Sequence, residues 1–69
     1  MTNWKEMYKD LSIEALYEEL DDCMNLIDKK SNLLKESDNL HRTARLYHAI
    51  GTHFEQMAVI EELIDEKEN

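Results

Sequence analysis

Apolar residues recur along this chain at helical spacing, and they do so in three blocks. Trp4, Met7, Tyr8 and Leu11 follow at i, i+3, i+4 and i+7, one face of a short helix. Asn3 stands before them as a cap, with Glu6 three residues on. The spacing predicts a helix over about 4–10. Ser12 is the next start signal, with Leu11 and Leu16 at hydrophobic-staple positions and Glu14 in the first turn. Helix A is then expected over about 13–36. Its stripe consists of Ile13, Leu16, Tyr17, Leu20, Cys23, Met24, Ile27 and Leu34. Leu26 and Leu33 fall outside that stripe, i and i+7 apart.

Ser37-Asp38-Asn39 is the break, because these side chains compete for their own backbone and favour caps. Ser31-Asn32, preceded by Lys29-Lys30, is a weaker break. Helix B is expected over about 39–66. Thr43, Tyr47, Ile50, Phe54, Met57, Glu61 and Ile64 alternate in steps of four and three, the seam of an antiparallel helix pair. Leu46, Ala49, Ala58 and Ile60 widen the apolar arc to about 180°, more than one neighbour needs.

The expected fold is all-α: a long antiparallel helical hairpin with a short N-terminal helix, in one domain over 1–69. The excess apolar surface predicts dimerisation into a four-helix bundle. The dimer seam would use Leu46, Tyr47, Ile50, His53, Phe54, Met57, Ile60 and Ile64. The helix of Trp4 is the alternative cover for that surface within a monomer. Gly51 lies at the margin of the arc, where close approach by a helix or simple tolerance would account for it.

Size supports a partner subunit. A core in a 69-residue chain rarely supplies more than about 3–5 kcal/mol. Cys23 is the only cysteine, which excludes an internal disulfide and suits a small buried hydrophobe. There is no proline, one glycine and 35% charged residues, a composition for continuous helix. No basic start precedes an apolar run, so no signal peptide is expected. No apolar stretch is long enough to span a bilayer. The expected location is the cytoplasm.

Net charge is −8, which disfavours nucleic acid and anionic membranes as whole-molecule partners. Its layout is uneven. Residues 1–28 hold two basic and eight acidic groups, residues 29–54 five and two, and residues 55–69 one and six. Folding at Ser37–Asn39 gathers both acidic segments at the open end, with Asp21, Asp22, Glu61, Glu62 and Asp65 as the candidate partner-binding residues. The basic segment, with His41, Arg42, Arg45 and His48, wraps the turn end as a candidate anion-binding patch. Two such bipolar hairpins favour antiparallel pairing. The plain alternative is a set of solvated helix faces whose surface pairs contribute little.

Candidate chemistry is thin, and neither a catalytic residue, a metal site nor a cofactor is expected. His41 and His48 lie two turns apart, about 10 Å, too far to share a zinc ion. The Glu-x-x-His pattern of di-iron bundles is absent. Glu18-x-x-Asp21 and Glu62-x-x-Asp65 match one element of the magnesium sites of all-α nucleotide pyrophosphatases, but no Glu-x-x-Glu accompanies them. There is no phosphate loop and no nucleophile–base set. His53 falls on the apolar arc, as a core or interface histidine held by a hydrogen bond, or as a pH-sensitive interface residue. Glu61 and Thr43 are polar positions in the seam that commonly set register.

The expected function is a non-catalytic regulator or inhibitor that binds another protein. Its acidic end would imitate the phosphate array of DNA, as some small phage and mobile-element products do, or its apolar seam would receive a partner helix. The alternative is nucleic-acid binding through His41, Arg42, Arg45 and His48. In organisation (two helices, similar length, acidic tail) the chain is similar to the RNA-binding helical hairpins of the Rop type, a resemblance of architecture without a shared motif.

Overall fold

A computed structural model describes residues 3–69. It contains α1 (Trp4–Tyr8), α2 (Ile13–Glu36) and α3 (Leu40–Glu68). The body is 45 × 23 × 14 Å.

Each helix starts on a side-chain cap. Asn3 Oδ1 accepts from the Glu6 amide at 3.2 Å, Ser12 Oγ from Ala15 at 3.1 Å, and Asn39 Oδ1 from Arg42 at 3.1 Å. These bonds satisfy amide donors that the first helical turn leaves without partners. α1 ends at Tyr8, two residues short of its expected end. α3 runs to Glu68, two residues past its expected end.

The turn needs no left-handed residue. Ser37 is extended, and no described residue other than glycine has positive φ. Side chains fasten it instead. Ser37 Oγ and Thr43 Oγ1 are 2.8 Å apart, and Thr43 Oγ1 donates to the Asn39 carbonyl at 2.9 Å. Asn39→Ala is therefore expected to cost about 1 kcal/mol through loss of the α3 cap. A urea titration followed by circular dichroism reads it, and an unchanged midpoint would show that the cap does not matter.

Beyond the turn, α2 and α3 run antiparallel. Lys30 meets His53, Cys23 meets Gln56, and the Tyr17 hydroxyl donates to Glu68 at 2.6 Å. The core is concentrated at the open end: Tyr8, Leu16, Cys23, Ile60, Leu63 and Ile64 are buried. Trp4, Leu11, Leu20, Met57 and Val59 pack around them. On α2, Leu16 and Cys23 are buried; Ile13, Leu20, Ile27 and Leu34 are half-buried. Tyr17 and Met24, expected in that stripe, are exposed.

α1 lies against α3 and covers the outer side of the core. Lys5 reaches across to Glu66 at 3.3 Å and Glu62 at 3.4 Å. This is the within-chain cover that the Trp4 helix offers, and it serves the C-terminal half of α3.

The seam of α3 is displaced from its expected line. Thr43, Leu46, Ile50, His53, Met57, Ile60 and Ile64 are buried or half-buried, whereas Tyr47, Phe54 and Glu61 face solvent. Two four-three patterns share Thr43, Ile50, Met57 and Ile64, one passing through Tyr47 and Phe54 and the other through Leu46, His53 and Ile60. The expected line carries Tyr47, Phe54 and Glu61, whereas the fold takes the line with the aliphatic Leu46 and Ile60, on which His53 finds hydrogen-bond partners. Of the eight residues expected at a dimer seam, Ile60 and Ile64 are occupied in the chain's own core. Leu46, Ile50, His53 and Met57 are partly covered, which leaves Tyr47 and Phe54 fully presented.

Candidate interaction surfaces

A polar chain crosses the three helices beside the core. The Lys30 ammonium has only protons to offer, so it donates to His53 Nε2, 2.6 Å away. The ring proton then sits on Nδ1, which donates to Gln56 Oε1 at 2.8 Å. Gln56 Nε2 donates in turn to the Tyr8 hydroxyl at 3.2 Å. His53 thus has two partners, and Lys30 and Gln56 are residues that its place on the apolar arc does not reveal. Lys30 sits 23 positions away in sequence and Tyr8 is 48 positions from Gln56, so no local spacing signals either contact. A satisfied chain of this kind specifies how three helices sit together.

Burial pushes the Tyr8 hydroxyl and the Cys23 thiol above their ordinary values. Both groups are neutral when protonated, so the fold favours the protonated forms. Their contribution to stability is complete below the unfolded thiol value of 9.0 and is lost as pH rises through the raised folded values. The midpoint of urea unfolding should fall between neutral pH and about pH 10, more steeply for wild type than for Cys23→Ala. Equal slopes in the two proteins would remove Cys23 from that account.

The open end is the acidic surface. Asp21 and Asp22 on α2, and Glu61, Glu62 and Asp65 on α3, are all exposed. Only Glu62 of these five has an ion-pair partner among the described residues, Lys5. The hydrogen bond to Glu66 and the charge of Glu62 raise the pKa of the exposed Lys5 ammonium. The fold brings the two acidic segments together because α2 begins, and α3 ends, beside α1.

The turn end carries the basic groups. Asn39, His41, Arg42, Arg45 and Leu46 line an open concavity of about 520 Å³. His48 is exposed one turn further along α3. Neither arginine forms an ion pair among the described residues, so both guanidinium groups are available to an anion.

A third surface is apolar. Leu40 is 89% exposed, Tyr47 62% and Phe54 54%. All three lie on the side of α3 turned away from both α1 and α2. Leu26 and Leu33 of α2 are also exposed. Among the described residues no group of three histidine, cysteine or carboxylate side chains is arranged to hold a metal ion, and no helix is long and apolar enough to cross a membrane.

No family model, curated protein or solved structure matched this chain.

Proposed function

We propose that this chain is a small non-catalytic protein–protein interaction module, a regulator or inhibitor that acts in the cytoplasm by binding a partner protein. Two copies form a four-helix bundle, and the acidic open ends engage a basic surface of the partner. The observation that supports this reading is that Asp21, Asp22, Glu61, Glu62 and Asp65, all on the half of the hairpin away from the turn, are exposed, with Lys5 as the one ion-pair partner among the described residues. Carboxylates on two adjacent helices present an anionic array that a nucleic-acid-binding protein would accept in place of phosphates. Such an array raises association rates and makes binding salt-sensitive.

A second reading rests on the turn end. The concavity between Asn39 and Leu46, with two arginines that form no ion pair among the described residues, suits a phosphate group of RNA. Paired variants separate the two. Tagged wild type, Arg42→Glu/Arg45→Glu and Asp21→Asn/Asp22→Asn/Glu61→Gln/Glu62→Gln are used to capture partners from a cell lysate, with and without nuclease. The acidic-end reading expects a nuclease-resistant protein that the arginine variant retains and the neutralised variant loses. A nuclease-sensitive signal lost only by the arginine variant overturns that reading in favour of RNA.

A further inference from the structure

The apolar face of α3 has an order that suggests its occupant. Leu40, Ala44, Tyr47, Gly51, Phe54 and Ala58 follow in steps of four and three, the spacing of a two-helix seam. All six are exposed. Large and small residues alternate without exception along it. Reversing the stripe about residue 49 sets Leu40 against Ala58, Ala44 against Phe54, and Tyr47 against Gly51. Every bulky side chain then meets a small one. Of the closed two-fold pairings, only the antiparallel one has this complement, because a parallel copy in register would set large against large.

We infer that a second copy of this chain packs on this face, α3 against α3, antiparallel, with residue 49 at the two-fold axis. Charge agrees with shape. Residues 40–54 of α3 carry Arg42, Arg45 and three histidines and no carboxylate, whereas residues 55–68 carry six carboxylates and one lysine. With residue 49 on the axis the two copies of α3 overlap over residues 40–58, which brings Glu55 of each copy beside the basic start of the partner's α3. His41 and Glu55 flank the stripe on one side and fall nearly level across the axis. Glu61 comes beside the start of the partner's α3, where the helix dipole favours an anion. The seam would be close, since alanine and glycine let the backbones approach. A Cβ on Gly51 would meet nothing within 4 Å in the single chain, so packing inside the chain does not explain the glycine. Opposite Tyr47 of a second copy, it has a reason.

This inference rests on the homodimer of the proposed reading and adds its helix, direction and register, independently of what the acidic end binds. Light scattering on the full chain should give twice the 8.2 kDa chain mass. Gly51→Leu should make each chain's helix more stable while raising the dimer dissociation constant at least about tenfold by overpacking. The variants Leu40→Cys and Ala58→Cys, each with one introduced thiol and treated with a short bismaleimide, should not cross-link through that thiol alone, since like positions lie about 27 Å apart at 1.5 Å per residue. Mixed together, they should cross-link through the two introduced thiols, identified by peptide mass. Buried Cys23 is common to every sample and serves as the internal control.

A monomer in light scattering overturns both this inference and the homodimer, while leaving the capture experiment on the acidic end standing. A dimer whose single variants cross-link with themselves, or that Gly51→Leu does not weaken, overturns the α3 pairing alone.

Discussion

Leu16→Ala or Ile60→Ala should leave much of the protein unfolded at room temperature. Both side chains are wholly buried. Truncating such a residue to alanine costs about 2–5 kcal/mol through lost burial and the cavity left behind. A core of this size supplies about 3–5 kcal/mol. Only six described residues are buried in the chain, so relaxation has little second-layer packing to draw on. Alanine is the better helix former at both sites, which isolates the loss to packing. Ile60→Val removes one methyl group and should cost about 0.5–1.5 kcal/mol. Thermal melts by far-ultraviolet circular dichroism rank the three. A melting temperature for Ile60→Ala equal to that of Ile60→Val would show that the open end is not packed as described.

Tyr8→Ala should release α1 and lower stability by about 3 kcal/mol, near the low end for deleting a buried aromatic ring. Tyr8 is the only buried side chain of α1, and its ring stacks on Trp4 with centroids 6.3 Å apart. Its hydroxyl also closes the chain from Lys30 through His53 and Gln56. Three readouts should move together. Trp4, the single tryptophan, should emit at longer wavelength as it meets water. Cys23 should alkylate faster, and the urea midpoint should fall. Tyr8→Phe keeps the ring and removes only the Gln56 bond, so it should cost about 0.5–1.5 kcal/mol and leave the emission in place. Red-shifted emission in Tyr8→Phe as well would mean that the hydrogen bond, rather than ring burial, holds α1.

Periodicity and caps alone determined the helical content. Asn3, Ser12 and Asn39 each accept the amide three residues on, a local interaction written in neighbouring residues. The break at Ser37–Asn39 is local in the same way. The acidic open end and basic turn end also follow from the sequence, because charges stay on the surface whichever face packs and a hairpin fold sets their positions. Which face of α3 turns inward was decided only by tertiary structure. Its hydrophobic arc is wide enough to admit two four-three lines, one with Tyr47, Phe54 and Glu61 and the other with Leu46, His53 and Ile60. The choice lies in partners 23 and 48 positions away in sequence, Lys30 for His53 and Tyr8 for Gln56, together with the ring of Tyr8 over the core. Desolvating His53 and Gln56 is tolerable only where those partners arrive, and their arrival depends on how α1 and α2 dock. The same docking turns Leu40, Tyr47 and Phe54 outward.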